Sequence, residues 1–405
     1  MTNHITFTKF WRALRRKAAL AICLAVCMLG LALSAMAQRL RIIEYDAPGA
    51  GTSAGLGTQA PGINPAGAIT GLYSDANNVM HGLLRTPEGR LITFDAPGAG
   101  AETGLHLHMT PAGVVGGQGT YSLAINPEGA ITGFYYDDSN LAHGFLRAPD
   151  GKFTTFDDPY AGTDFRQGTF GLNISPAGVI AGQYWDAGYN HHGFVRTPDG
   201  KFTNFDPAGA GTGPGQGTYV EVASCINPAG AIDGYYVDAE GLAHGFVRAP
   251  DGHIAEFDVP GAGTDGSQGQ GTYSWSINPE GAVTGEYVDE NNVGHGYVRA
   301  RDGRITKFDV PAAGTGEGQG TIPETINLTG VVAGNYIDAN GVNHGFVRAP
   351  DGRFRFFDAP GAGTGEGQGT IPLTNNPAGE ITGVYFDNNN VLHAFLRLVG
   401  PPWFW

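Results

Sequence analysis

The sequence contains seven repeats of a unit of about 50 residues. The clearest motif is a histidine followed by a small residue and an apolar one, as in HGFVRAPDG, which begins at residue 244 and again at residue 344. Two further motifs also occur seven times: INPAGAITG in its fullest form, and an aromatic followed by aspartate and usually a proline, as in TFDAPGAG, with the aspartate at 46, 95, 157, 206, 258, 309 and 358. A repeat of this length predicts a supersecondary element that buries its apolar face only by packing against its neighbours.

Each unit is predicted to hold four short strands. In the second unit they are GTYSLAIN (119–126), AITGFYY (130–136), HGFLRAP (143–149) and KFTTFD (152–157). β-Branched and aromatic residues favour strands here, and NPEG and DG supply the turns. Because residues 38–405 show no sustained helical period, the fold class predicted is all-β.

The two ends of the chain complete one unit. The segment RIIEYD (41–46) matches the fourth strand of a unit, RFRFFD (353–358), whereas the last unit stops at its third strand, HAFLR (393–397). This offset predicts a closed ring in which strand 41–46 pairs with the C-terminal unit, because closure removes exposed sheet edges. We expect a seven-bladed β-propeller over residues 38–400; a β-solenoid or another closed β array is the alternative.

The run IN…G.ITG.Y…D…HGF.R…G…FD resembles the extracellular HAF-type repeat, whose His-Ala-Phe stands here as His393, Ala394 and Phe395. The other units have glycine in place of the alanine, and long glycine-rich loops such as PGAGTGEGQGT are a further departure from the family pattern. The resemblance implies a protein exported from a bacterium, with a propeller-like fold. It implies no particular activity.

The N-terminus predicts a secretory signal peptide over residues 1–37. Five basic residues precede an apolar stretch from Ala18 to Ser34, and AMA (35–37) is a small-residue cleavage site. An uncleaved membrane anchor is the alternative. We therefore expect a secreted, periplasmic or cell-surface protein without membrane insertion after cleavage.

Net charge limits the classes of partner that the sequence allows, and cysteine content limits the sources of its stability. Without residues 1–37, 18 basic residues face 38 acidic ones, which argues against nucleic acid as a partner. Cys225 would then be the sole cysteine, so no internal disulfide is expected and packing must supply the stability. The protein is expected to be monomeric.

An aspartate stands six residues before the motif histidine in every unit. Because turn residues separate the two, we expect the side chains to meet across a hairpin and to form a stabilising hydrogen bond, called here a structural tie. The alternative is seven Asp-His metal or acid/base sites, although two ligands are too few for zinc. The pairs are Asp75 and His81, Asp137 and His143, Asp186 and His192, Asp238 and His244, Asp289 and His295, Asp338 and His344, and Asp387 and His393.

One connection is longer than the others and contains AETGLHLHMTPAGVVGG (101–117). His106 and His108 lie on one side of this segment if it is extended, which makes them candidate binding residues. The glycine-rich loops lack the GK[ST] of a phosphate loop and are interpreted as crossings between units. The aromatic tail 401–405 is expected to pack over the ring seam.

These patterns favour an exported, non-catalytic scaffold that binds a protein or glycan on one ring face. The alternatives are a propeller enzyme of the lyase or glycosidase type, with its site on the glycine-rich acidic face, and a structural cell-surface protein. We expect no cofactor and no bound metal, and the sequence identifies no catalytic residue.

Overall fold

A computed structural model describes residues 41–102, 117–222 and 224–399. These residues form 28 β-strands and one 3-10 turn, Gly266–Gln268, so the all-β prediction is confirmed. Ile42–Arg397 make one compact unit, and the second unit contributes only Arg41, Leu398 and Val399 to the described residues. Within the described ranges, no helix has the length and apolar character needed to cross a membrane.

The strands fall into seven groups of four, numbered here as units 1 to 7. Unit 1 holds β2 (Gly57–Ile63), β3 (Ile69–Ser74), β4 (Met80–Arg85) and β5 (Leu91–Phe94). Unit 2 holds β6 (Gly119–Ile125), β7 (Ile131–Tyr136), β8 (Ala142–Arg147) and β9 (Phe153–Phe156). Unit 3 holds β10 (Gly168–Ile174), β11 (Ile180–Trp185), β12 (His191–Arg196) and β13 (Phe202–Phe205). Unit 4 holds β14 (Gly217–Tyr219), β15 (Ile232–Val237), β16 (Ala243–Arg248) and β17 (Ile254–Phe257). Unit 5 holds β18 (Gly271–Ile277), β19 (Val283–Val288), β20 (Gly294–Arg299) and β21 (Ile305–Phe308). Unit 6 holds β22 (Gly320–Ile326), β23 (Val332–Ile337), β24 (Asn343–Arg348) and β25 (Phe354–Phe357). Unit 7 holds β26 (Gly369–Asn375), β27 (Ile381–Phe386), β28 (Leu392–Leu398) and, from the other end of the chain, β1 (Arg41–Tyr45).

The repeated sheet closes on itself. Within a unit the strands pair antiparallel in chain order, and the third strand also meets the first strand of the next unit through one parallel residue pair. The last such pair joins Leu392 of β28 to Gly57 of β2. Twenty-one strands therefore form a closed ring, and β1 pairs with β28 as the fourth strand of unit 7. Closure through the chain ends is thus confirmed.

Glycine begins every first strand because two backbones approach closely there. Gly119 has φ 115°, and a Cβ on it would lie 2.1 Å from the carbonyl oxygen of Met80. Neither the conformation nor the contact tolerates a side chain. This junction explains why a Gly-Thr dipeptide begins the first strand of every unit.

The asparagine of the INPAG motif links neighbouring units. Its Oδ1 accepts the N–H groups of its own turn, and its Nδ2 donates to the carbonyl oxygen of the equivalent asparagine in the next unit. The bond from Asn376 to Asn64 O, 3.3 Å long, closes the series across the chain ends. The other bonds run from Asn64 to Asn126, from Asn227 to Asn278, from Asn278 to Asn327 and from Asn327 to Asn376.

The core lies between units. Phe346 of the third strand is fully buried, and the arginine two residues later, Arg348, stacks over Phe308 of the preceding unit with its Cζ 4.5 Å from the ring centroid. The equivalent arginines of the other units also stack over an aromatic ring of the preceding fourth strand. Burial of these rings is the main stabilising contribution between units.

Candidate functional site

Each repeated histidine contacts two aspartates and a tyrosine. In unit 4, Nδ1 of His244 lies 2.8 Å from Oδ1 of Asp258 and Nε2 lies 3.2 Å from Oδ2 of Asp238. The ring of Tyr236 stacks on the imidazole with centroids 5.0 Å apart. All seven units share this arrangement, with Nδ1 between 2.8 and 3.1 Å from the nearer oxygen of the later aspartate.

The aspartate six residues before the histidine makes the longer contact. Outside unit 4, its Oδ2 lies 3.5 to 3.9 Å from Nε2 of the histidine, beyond typical hydrogen-bond distances. Its other oxygen accepts N–H groups of the hairpin, as Asp238 does from Glu240 and Leu242. The shorter bond goes to the aspartate that follows the fourth strand, a partner that sequence reasoning missed. It stands fourteen residues after the histidine in units 1 to 6, and in unit 7 it is Asp46 from the other end of the chain.

The hydrogen bond from the later aspartate raises the pKa of His81, His143, His192 and His244 above the ordinary histidine value. Within the described residues, no group of three or more His, Cys, Asp or Glu side chains is arranged to hold a metal ion. Because this arrangement is the same in every unit, it does not single out any unit as a ligand-binding site. Candidate sites must be sought where the units differ.

The units differ in their first strands, which lie innermost because β2 contacts both β6 and β26, and β22 contacts both β18 and β26. In five units these strands contain a bulge of one residue, a feature that re-aims a side chain. The bulged residue is Leu123, Leu172 or Leu373 in units 2, 3 and 7. It is Trp275 in unit 5 and Glu324 in unit 6.

Unit 4 departs further from the repeat. Its stretch from Gly217 to Asn227 is three residues longer than the equivalent stretches, and β14 ends early, at Tyr219. The extension contacts both neighbouring units: Val222 O accepts from Asn173 of unit 3, and Ser224 O accepts from the backbone of Ile277 in unit 5. Ser224 has φ 57°, a conformation uncommon for residues other than glycine.

A cleft of about 430 Å³ lies beside these irregular strands, between units 4, 5 and 6. We call it the inner cleft; it is lined by Tyr235, Tyr273, Trp275, Glu286, Gly294 and Glu317, among others. Tyr273 and Trp275 are nearly parallel, with an interplanar angle of 10° and centroids 5.8 Å apart. Tyr235 meets both rings edge-on.

Three carboxyl groups lie in the same region and lose much of their hydration. Burial raises the pKa of Glu221 and of Glu286 to about 7. Burial, together with repulsion from those two, raises the pKa of Glu324 to about 8. All three side chains are partly buried rather than enclosed, so they remain reachable from solvent. Of these three, Glu286 lines the inner cleft, and a perturbed carboxyl in an aromatic cleft is a common mark of a functional site.

The opposite side of the ring carries apolar residues at the same positions. The residue before the repeated tyrosine of the second strand is Val384, Leu72 and Phe134 in units 7, 1 and 2, but Gln183, Tyr235, Glu286 and Asn335 in units 3 to 6. One side of the ring is therefore packed with aliphatic and aromatic groups. The other side, in units 3 to 6, carries glutamine, tyrosine, glutamate and asparagine at this position.

Several predicted features lie outside the described residues. They are His106 and His108, most of the segment 101–117, the proposed signal peptide 1–37 and the aromatic tail 401–405. These remain predictions from the sequence.

Sequence reasoning missed the inner cleft. Aligning the seven first strands would have shown GTYVEVASCIN as longer than GTYSWSIN, and tryptophan and glutamate where other units have leucine. The signal lay in departures from the repeat.

No family model matches this chain, and no curated protein matches it either. Among solved structures, it is similar to the BP39L lectin from Burkholderia pseudomallei, at 10% identity over 90% of this chain and 97% of the lectin, with a TM-score of 0.49. It is also similar to AofleA from Arthrobotrys oligospora, at 15% identity over 78% and 89% of the chains, with a TM-score of 0.42. The SapL1 lectin, solved with alpha methyl fucoside, has 13% identity over 79% and 97%, with a TM-score of 0.41. At such scores a function has to be argued from this chain's own residues, and the HAF-type resemblance stays a prediction.

Proposed function

We propose that this chain is an exported, non-catalytic seven-bladed β-propeller that binds a glycan in the inner cleft. The seven four-stranded units would be the blades, and β1 would complete the last of them. Export rests on the N-terminal sequence of residues 1–37.

The observation that carries the proposal is the concentration of aromatic and carboxyl side chains in one cleft of an otherwise repeated ring. Flat rings such as Trp275 and Tyr273 offer apolar faces to the C–H groups of a sugar, while carboxylates accept hydrogen bonds from its hydroxyls. The cleft volume of about 430 Å³ is within the usual range for small-ligand sites.

A glycan array probed with the full chain tests this function. Trp275→Ala should weaken binding on the order of tenfold or more, since buried aromatic anchors dominate such sites. Leu373→Ala is the matched control, because Leu373 occupies the same bulge position in unit 7, away from the cleft. His253→Ala is a second control, in a smaller cleft of about 280 Å³ formed by the turns at the other ends of the strands. Binding that survives Trp275→Ala would show that the inner cleft is not the site.

A glycosidase or lyase is the second candidate, and the carboxyl groups favour it. A glutamate whose pKa lies near 7 is suited to general acid catalysis at neutral pH. Mass spectrometry of array-positive oligosaccharides after incubation with the protein separates the two functions. Shortened products that disappear with Glu286→Gln and Glu324→Gln would establish the enzyme; intact oligosaccharides support the binding protein.

A further inference from the structure

Glu286 lies in the inner cleft without a protein partner. Among the described residues, its carboxylate makes no hydrogen bond or ion pair, and no lysine, arginine or histidine lines the cleft. Glu317 adds a second acid at an exposed position. An unpaired carboxylate in a partly desolvated site costs free energy unless a ligand compensates it.

The neighbouring unit shows what a satisfied version of this position looks like. In unit 6, Asn335 occupies the place of Glu286, and its Nδ2 donates to Oδ1 of Asn343 across the strand pair, 2.9 Å away. In unit 5, the residue that corresponds to Asn343 is Gly294. A Cβ on Gly294 would lie only 3.1 Å from Oε2 of Glu286, so the glycine leaves room beside the carboxylate. Unit 5 thus has the carboxylate of Glu286 at this position and lacks the neighbouring side chain that could have hydrogen-bonded to it.

Aromatic rings supply the rest of the lining. Tyr273, Trp275 and Tyr235 lie in the cleft with Glu286. The faces of such rings attract organic cations, most strongly the face of tryptophan. Carboxylate and rings together are suited to an organic ammonium group, whereas a metal ion would require a set of three or more His, Cys, Asp or Glu ligands that the described residues do not form.

We propose that the inner cleft selects a glycan with a free amino group, and that the ammonium is held by Glu286 against the rings of Tyr273 and Trp275. This inference rests on the proposed glycan-binding function and specifies its ligand class. An amino sugar is favoured over a lysine side chain because three aromatic rings line the cleft with Glu286, and flat rings pack better on the C–H face of a sugar ring than on a thin aliphatic chain.

Binding should be coupled to ionisation of the cleft. Burial holds the pKa of Glu286 at about 7, so a bound cation favours the ionised carboxylate and releases a proton at neutral pH. The titratable groups that face this region, among the described residues, are Glu221, Glu317, Glu324, Tyr235, Tyr273 and Tyr297. Burial is the largest cause that raises the pKa of Glu221, of Glu324 and of the three tyrosines. Affinity for an amino sugar should therefore rise between pH 6 and the pH at which the ligand amine loses its own proton.

The test compares glucosamine oligomers with N-acetylglucosamine oligomers of equal length by titration calorimetry. We expect the free-amine series to bind at least tenfold more tightly, with the difference decreasing at high salt. Glu286→Gln should abolish that difference while leaving binding of the N-acetylated series; glutamine is compatible with this position, since Gln183 occupies it in unit 3. Gly294→Asn, which introduces the partner found in unit 6, should have the same effect.

Equal affinity for the two series would overturn the amino-sugar inference and leave the glycan-binding function standing. A preference that persists in both Glu286→Gln and Gly294→Asn would overturn it too, because the ammonium would then lie elsewhere. Tighter binding of a lysine peptide than of any glucosamine oligomer would replace the ligand class. If no glycan of either kind binds, the proposed function itself fails.

Discussion

At the scale of single residues, polar groups that recur in every unit stabilise the ring, whereas those found in one unit are the candidates for a functional or destabilising role. His244 has a side chain about 17% exposed and both of its ring nitrogens face aspartates. Asp233, by contrast, stands where units 1, 2, 5 and 7 have threonine, and burial raises its pKa far above the ordinary value. The side chain of His244 therefore has partners for both ring nitrogens, whereas the buried Asp233 lowers the stability of the fold.

Replacing His244 with alanine should lower the free energy of unfolding by about 1 to 3 kcal/mol, since Asp258 and Asp238 lose a hydrogen-bonding partner. Because the folded-state pKa of His244 is raised, its ionic contribution is complete below the unfolded pKa and is lost as pH rises through the folded one. Chemical denaturation at pH 6 and pH 8 should therefore show a larger difference between wild type and variant at pH 6. A larger difference at pH 8 would contradict this sign. His143→Ala, at the equivalent tie of unit 2, is the parallel measurement.

Asp233→Thr should stabilise the protein. Thr132, Thr284 and Thr382 occupy this position in other units, and each donates Oγ1 to a third-strand carbonyl oxygen. Asp233 accepts one bond from Ser274, but its Oδ1 is buried without a partner. A carboxyl with a raised folded pKa favours folding at low pH and opposes it as pH rises, so the gain should be greater at pH 8 than at pH 5. We expect roughly 1 to 3 kcal/mol at pH 8 by denaturant titration; a loss of stability there would show that the bond to Ser274 dominates.

At the scale of elements, strand β1 has a role that its five residues do not suggest. It pairs with β28, Asp46 at its end bonds to His393, and Glu44 accepts from the backbone of Gly361. The strand pairing and the bond to histidine are contacts that the fourth strand also makes in the other units, here formed between opposite ends of the chain. Without β1, the third strand of unit 7 would present an unpaired edge.

Deleting Ile42–Asp46 should lower the melting temperature more than His393→Ala, because the deletion removes a whole strand and the substitution removes one tie. Differential scanning calorimetry of the two variants makes the comparison. Glu44→Ala, which removes the contacts of one side chain with Gly361 and Tyr385, is the mild control. A deletion variant that melts with the wild type would mean that β1 contributes nothing to closure.

The strands and their closure were predictable from sequence because turn chemistry and repeated spacing are local signals. GTYSLAIN was placed at 119–126 and the strand runs over Gly119–Ile125. The partner of His143 was harder to predict, because Asp157 is brought to it by antiparallel pairing of β8 with β9 rather than by a turn. The inner cleft depends on side chains from three units meeting in space, a long-range arrangement that no window of sequence contains.

At the scale of the whole molecule, each unit contacts two neighbours and the ring has no free end. An open array of repeats can lose its terminal units first, whereas a closed ring must break two junctions to release any unit. The bond from Asn376 to Asn64 and the parallel pair of Leu392 with Gly57 give the last junction the contacts found at the junctions of units 1 with 2, 4 with 5, 5 with 6 and 6 with 7. Stability should therefore be shared by all seven units.

We expect one cooperative unfolding transition in calorimetry, with the van't Hoff enthalpy close to the calorimetric enthalpy. His244→Ala in unit 4 and His143→Ala in unit 2 should each shift the whole transition rather than split it. Hydrogen exchange should show similar protection in the first strands of different units. Two resolved transitions, or protection confined to a few units, would contradict a closed cooperative ring.

The unit shared between the chain ends also has a consequence for how the gene can change. Tandem segments of nearly equal sequence recombine unequally, and such exchanges add or remove whole lengths of coding sequence. Because β1 and β28 belong to one unit, the gain or loss of a complete copy still leaves the two strands matched, whereas a partial copy leaves a surplus stretch. Point mutations at the bulge positions, by comparison, change a leucine into a tryptophan or glutamate without touching the ties between copies. Copy number and specificity can thus be inherited as separate traits of one gene.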